Sequence, residues 1–348
     1  MKSKRLLAIV FVLMLSFAFG TVIKVDAAVK TTNELSGTAV KANNTIYYRI
    51  QNSLYQYDTK SKEIKQLCSI DYEISSIRKY GADIYLLTSE EIKDNKGHYV
   101  NLIYRLYKYN INTASTDKIG DYIEFLGIMD GALYCIYDQK DVNGDRRIIR
   151  IDNSGESDVQ SLDEDAGSSF IWDNKLYYSK LKSNAKPDEY GEYGYKDCNF
   201  YYMTSDRTVH KVTQKKYKKI VDNNIAFASY PEKGVYNQVS SATAVKYGKK
   251  YNVYYGYFDY NQKSKNKKYF LVKALKKNKM KKLYTIKSKT KKYKKQYIFT
   301  MDGFKKQMII VIAREYKKKQ DGYIGEYVYK LVNYKGKVIK TLGKKKYK

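Results

Sequence analysis

Histidine is nearly absent from this 348-residue sequence, which holds just His98 and His210. They stand far apart with no cysteine or second histidine beside either, which argues against a zinc site or a hydrolytic triad. Cysteine is scarce as well: Cys68, Cys135 and Cys198 form no C-x-x-C. An odd count leaves open one disulfide beside a free thiol, or three buried thiols. Cys135, within the apolar run LYCIY, reads as a small core residue. The one tryptophan, Trp172 in FIWDNKLYY, reads as a packing residue. No amphipathic helical period survives beyond residue 30, and after the N-terminal run no apolar stretch approaches the length of a membrane helix. Missing too are G-x-S-x-G, H-E-x-x-H, a sialidase-type aspartate box and a nucleotide-binding glycine loop. The sequence therefore assigns no catalytic residue and no cofactor.

What is present is a recurrence. The stretch IYYRIQNSLYQYDTKSKEIKQL, residues 46–67, has a pattern that returns along the chain, most clearly at the polar turns ending at Asp58, Asn110, Asp152, Thr213, Lys276 and Asn333. Subtracting successive positions gives gaps of 42 to 63 residues, the range of propeller blades. The runs between turns are rich in Tyr, Ile, Val and Leu and are separated by pairs such as Asn43-Asn44, Asp130-Gly131, Asp173-Asn174 and Asp302-Gly303. One unit reads as four strands: ISSIRKY (74–80), DIYLLT (83–88), IYRLYKY (103–109) and TDKIG (116–120). Several strands are apolar on both faces, so each sheet must be covered on both sides, as stacked blades are. The expected fold is all-β, a six-bladed β-propeller of four-stranded antiparallel blades, with repeat units at 37–70, 73–120, 122–163, 167–222, 239–287 and 296–343.

The runs IYY at 46–48, LYY at 176–178 and VYY at 253–255, together with IIRIDNSG at 148–155, resemble the blades of six-bladed propellers found in bacterial secreted proteins of unknown function. Those are distantly similar to the YWTD propellers of lipoprotein receptors. The resemblance spans roughly residues 37–343 and implies the fold. No unit carries the Trp-Thr-Asp part of YWTD, so the interblade network of that family does not transfer.

Lys2, Lys4 and Arg5 precede an apolar run from Leu6 to Phe19, and Ala27 follows at a small-residue cleavage position. Residues 1–27 are thus expected to be a secretory signal peptide, leaving 28–348 as a single propeller domain. The apolar run is short of the roughly 20 residues that span a bilayer. No cysteine follows it directly, which argues against a lipid anchor, and the expected location is secreted, extracellular or wall-associated.

Charge divides the chain sharply. Residues 211–348 hold 39 Lys and Arg against 7 Asp and Glu, whereas residues 1–210 hold 27 against 29. In a propeller this places the positive charge on blades five and six, a self-repelling side suited to an anionic partner. Nine lysines mark it. Lys276, Lys277, Lys279, Lys281 and Lys282 sit at the outer hairpin of blade five, and Lys291, Lys292, Lys294 and Lys295 precede the inner strand of blade six, on the opposite face.

Long, variable segments are expected at 89–100, 138–146, 182–198, 223–238, 259–268 and 316–325, all on the face where second-to-third hairpins and interblade links emerge. Two of them carry Tyr190, Tyr193, Tyr195, Tyr230 and Tyr236, a composition suited to protein recognition. The loop from Asp141 places Asn143, Asp145 and Asp152 at calcium-loop spacing, yet Arg146 stands where the sharp turn needs glycine, and Asn143-Gly144 is itself a hairpin signal. No metal is therefore assigned. The leading expectation is a noncatalytic binding protein for an anionic polymer such as wall teichoic acid or an acidic polysaccharide. Recognition of a protein partner by the tyrosine loops is the alternative. A polysaccharide-acting enzyme would need paired carboxylates, for which Glu189 and Glu192 are the candidates. Lysine interleaved with tyrosine at 273–297 also suits nucleic acid, which export disfavours.

Overall fold

The computed structural model describes residues 37–348 apart from 97–98, 140–144, 153–154, 162–168, 173, 188–193, 218–238, 248–249, 259–267, 276–279, 305 and 348. The expected signal peptide lies outside the described residues.

Six four-stranded antiparallel sheets make up the chain, each built from consecutive strands. Blade one is β1 (Ala39–Ala42), β2 (Thr45–Ile50), β3 (Ser53–Asp58) and β4 (Ile64–Ser69). Blade two is β5 (Ile74–Tyr80), β6 (Asp83–Lys93), β7 (Tyr99–Asn110) and β8 (Thr116–Asp121). Blade three is β9 (Ile123–Met129), β10 (Ala132–Gln139), β11 (Asp145–Asp152) and β12 (Gly155–Ser161). Blade four is β13 (Phe170–Trp172), β14 (Lys175–Leu181), β15 (Cys198–Met203) and β16 (Val209–Val212). Blade five is β17 (Val239–Tyr247), β18 (Lys250–Phe258), β19 (Lys268–Ala274) and β20 (Met280–Lys287). Blade six is β21 (Tyr293–Gly303), β22 (Gln307–Gln320), β23 (Tyr323–Asn333) and β24 (Val338–Tyr347). First strands meet first strands, β1 against β5, β9 against β13 and β17 against β21, which sets them at the axis of a six-bladed propeller.

Apolar residues on both faces of a strand find partners on both sides. In β2, Ile46, Tyr48 and Ile50 join Ile309, Val311 and Leu331 of blade six, while Tyr47 on the other face joins Ile77, Ile84 and Leu86 of blade two. Leu106 meets Leu133 and Ile149 across the second and third blades, and Tyr134 meets Tyr178 across the third and fourth. Blades five and six share Tyr254, Leu271, Ile310 and Val332. The outer face of blade four is covered in part by Tyr217, from a helical turn at 214–217, against Phe170 and Phe200.

Blade six closes onto blade one by polar contacts beside that core. Asp302, fully buried, accepts a hydrogen bond from the Ala39 amide at 2.8 Å. The Thr38 and Thr300 hydroxyls lie 3.4 Å apart, and Tyr48 donates to the Leu342 carbonyl at 3.2 Å. The sequence suggested Asp302-Gly303 as a turn. Both residues instead end β21, and the chain reverses between Phe304 and Gln307. Asp302→Ala leaves a buried amide unpaired at the ring closure. It should cost about 1–3 kcal/mol, with amide exchange accelerated first at 39–42; uniform acceleration through all blades would show that this closure does not open on its own.

Candidate ligand-binding face

Blade one turns back between Ile50 and Ser53, whereas its neighbours continue upward. In blade two, Asp83 starts its strand opposite Asn110 as Thr45 does opposite Asp58, so Thr88 stands level with Ile50. Residues 89–93 then extend about 17 Å further at ~3.4 Å each, paired with β7 as far as Tyr99. By the same alignment blade six runs on from Ile312 to Gln320, paired at its tip with Tyr323. The segments 89–100 and 316–325, expected as loops, are therefore largely strand ribbons. They leave a notch over blade one on the face of the long hairpins.

On the blade-two wall of the notch the charge of Arg105 is paired. Arg105 is 9% exposed, with Nη2 at 2.7 Å from Glu90 and Nε at 2.9 Å from Asp121. Its guanidinium lies 3.9 Å from the Tyr72 ring centroid. On blade six, Glu326 accepts hydrogen bonds from Tyr293 at 2.6 Å, Arg314 at 3.1 Å and Tyr316 at 3.3 Å. Burial opposes ionisation of Glu326, but the bonds from Tyr293 and Arg314 more than offset it and hold the carboxyl below its ordinary range. Burial, and then the bond to that carboxylate, push Tyr293 up to about 12.

The predicted lysines divide into groups. Lys276, Lys277 and Lys279 lie outside the described residues. Lys281 and Lys282 are on β20, and Lys282 Nζ sits 4.1 Å from the Phe270 ring centroid. Lys292 covers the stacked rings of Tyr293 and Tyr316, 5.5 and 5.2 Å from their centroids. Lys294 and Lys295 flank Glu315 at 3.4 and 3.9 Å, while Lys291 is exposed in the link before β21. Reading the sequence by proximity to the inner strand missed Lys317, Lys318 and Lys319, which the blade-six ribbon holds exposed on the same face as Lys291. The run of three lysines is itself a sequence signal, set in a charged stretch that lacks strand alternation.

Tyr190, Tyr193, Tyr230 and Tyr236, and the acidic candidates Glu189 and Glu192, lie outside the described residues. Tyr195 starts a short 3-10 turn and is 42% exposed, with its ring 5.8 Å from Phe200 and 6.4 Å from Tyr217. It thus serves at least partly as a cover for blade four. Asp141 and Asn143 of the calcium-spaced loop also lie outside the described residues. Asp145 begins β11, and Asp152 is ion-paired to Arg150. Arg146 reaches Asp138 at 3.1 Å, and Arg147 reaches Asp158 at 2.7 Å. Among the described residues no three His, Cys, Asp or Glu side chains converge as a metal site. Cys68, Cys135 and Cys198 are free thiols, and burial raises the pKa of the first two. His210 stacks on Tyr202 at 4.6 Å; His98 lies outside the described residues.

One acidic group went unremarked in the sequence. Glu124, on the inner strand of blade three, has its pKa raised by burial, against the pull of Arg146. Asp138 beside it is bound to Arg146, so the pair lacks a free second carboxylate of the kind glycoside hydrolysis needs.

No protein-family model and no curated protein sequence matches the chain. Among solved structures it is similar to the tricorn protease, at 13% identity and a TM-score of 0.38, over 84% of this chain and 27% of that one. Similar too are the N-terminal domain of Nup159 (10% identity, TM-score 0.33, 86% of this chain and 73% of that) and the acylaminoacyl peptidase of Pyrococcus horikoshii (11%, 0.35, 88% and 45%). The chain thus spans about a quarter of tricorn and under half of the peptidase. Its own six four-stranded sheets, rather than these distant likenesses, define it as a six-bladed β-propeller.

Proposed function

We propose that this propeller is a noncatalytic, secreted binding protein, of the kind found among bacterial secreted propellers, whose basic side engages an anionic polymer of the cell wall or extracellular matrix. Wall teichoic acid and acidic polysaccharide are the polymer classes. The supporting observation is the exposed lysine of blades five and six: Lys281 on an outer strand, and Lys291 with Lys317, Lys318 and Lys319 on the long-hairpin face. Four of the nine lysines first singled out are already committed to Phe270, to stacked tyrosines or to Glu315. The uncommitted ones give the better contacts, because no existing pair must break. Lysine point charges on flexible stems suit a polymer that presents charge without fixed geometry.

Single changes to alanine should be nearly silent, since an exposed ion pair contributes about 0–1 kcal/mol. The quadruple variant Lys291→Glu, Lys317→Glu, Lys318→Glu, Lys319→Glu should release the mature protein from cell walls at physiological salt, and half-molar salt should do the same to the wild type. Retention of the quadruple variant, with loss on shortening 183–198, would instead assign recognition to the tyrosine loops and a protein partner.

A further inference from the structure

Above the level of blade one, the blade-six ribbon shows a row of aromatic rings. Tyr329 and Leu331 of β23 are buried in the core shared with blade one. Tyr327 is the next residue along that face, at the margin of the core. Phe299 packs on it with centroids 5.0 Å apart, and Tyr347 stacks on its other side at 4.6 Å. Three features of the backbone make the row. A bulge between Ile298 and Thr300 turns Phe299 outward, to 43% exposure. Ala313, small and opposite Tyr327 in β22, lets the Phe299 ring reach over the intervening strand. Gly325, opposite Tyr347, has no side chain to hold that ring off the sheet. Gly343 lies against Ile50 at the top of blade one, so Tyr347, further along β24, stands in the notch above it.

Charge surrounds the row with one sign in excess. Lys345, opposite Tyr327 in register, is exposed, Lys294 and Lys295 together outweigh Glu315, and Arg49 offsets Glu73, both of which act on Tyr327 and Tyr329. The floor is the polar turn at Gln51 and Asn52, with Asn52 bonded to the Ile70 carbonyl at 2.9 Å and the Ser53 and Ser69 hydroxyls 2.8 Å apart. An apolar ring face flanked by ammonium groups and hydroxyls matches one chemistry well: a pyranose ring bearing an acid group.

We propose that the notch over blade one is a sugar subsite, in which a ring of an acidic polysaccharide lies on the exposed face of Phe299, backed by Tyr327 and Tyr347, while Lys345 meets its carboxylate. The assignment rests on the polyanion reading above and narrows it from any anionic polymer to one built of sugar rings. Ring stacking supplies what lysine alone does not, a preference among polymers of equal charge.

The test compares polygalacturonate, which has rings, with inorganic polyphosphate, which has none, by affinity electrophoresis of the mature protein. Phe299→Ala, at an exposed bulge, should leave the melting temperature unchanged and weaken polygalacturonate binding about tenfold, the loss of roughly one aromatic contact. Polyphosphate binding should stay within about twofold, and Phe299→Tyr should restore the polygalacturonate affinity. If both polymers bind the wild type and the alanine variant weakens neither, or both alike, the sugar subsite is wrong and the charge reading survives. If the wild type binds neither polymer at physiological salt, the charge reading itself is wrong. Poly-glutamate losing as much affinity as polygalacturonate would reassign the row to a polypeptide and overturn the proposal.

Discussion

Replacing Glu326 with alanine should cost about 3–5 kcal/mol of folding free energy, the range for removing one partner of a buried ion pair. Glu326 is 7% exposed and is the acceptor for Tyr293, Arg314 and Tyr316 together. Arg314 Nε is buried without a hydrogen bond, so the guanidinium depends on this carboxylate. Glu326→Gln keeps the shape and an accepting oxygen but loses the charge, and should fall between the alanine variant and the wild type in guanidinium unfolding. The pH dependence follows from the lowered pKa. A carboxyl held below its unfolded value stabilises the fold above that value, and the contribution is lost as pH falls through the folded value. The gap between wild type and Glu326→Ala should therefore be full at neutral pH and begin to close below about pH 4.3. A midpoint equal to that of the wild type at neutral pH would mean that Arg314 is reached by water and needs no partner.

The same cluster sets where several of the blade-six lysines lie. Lys292 lies over the rings that Glu326 orients, and Lys294 and Lys295 sit beside Glu315 because the register of β21 with β22 puts them there. Such cross-strand pairings join residues some twenty positions apart, and no local pattern announces them. Blade architecture was legible for the opposite reason. ISSIRKY and TDKIG fall on β5 and β8 because both signals, apolar alternation and turn residues, are local to one hairpin. The ribbons at 89–93 and 313–320 show no apolar alternation because charged residues pair across their strands, Glu90 with Arg105 and Arg314 with Glu326. The turn of the blade-six ribbon is nevertheless written in the chain: Asp321 and Gly322 have φ of 52° and 80°, the paired positive values of a type I′ hairpin. Phe299 could not be read as exposed, since the bulge that rotates it leaves no mark in QYIFTMDG, and 40 tyrosines make any one of them uninformative.

Gly336→Ala should be among the most damaging single changes in the protein, although the residue lies in a surface turn. The turn joins β23 to β24, where Asn333 Oδ1 accepts from the amides of Lys335 and Lys337, each at 3.0 Å. Gly336 completes it with φ of 84°, a left-handed conformation that costs a residue with a side chain about 1–2 kcal/mol. Packing adds to the strain, because a Cβ there would overlap the Leu283 carbonyl of blade five. Backbone cannot move aside as a flexible side chain does, so relief requires blades five and six to separate, and overpacking of that kind costs about 1–3 kcal/mol more. Together these predict a loss of about 2–5 kcal/mol, read as a lower guanidinium midpoint. Lys335→Ala, one residue earlier and exposed, should stay within about 0.5 kcal/mol of the wild type. Blades five and six carry the exposed lysines on their two faces, so separating them should also weaken retention on cell walls, at salt concentrations where the wild type still holds. A Gly336→Ala protein with the midpoint of the wild type would show that the turn stands clear of Leu283 in solution, and that the two blades are joined by their shared apolar core alone.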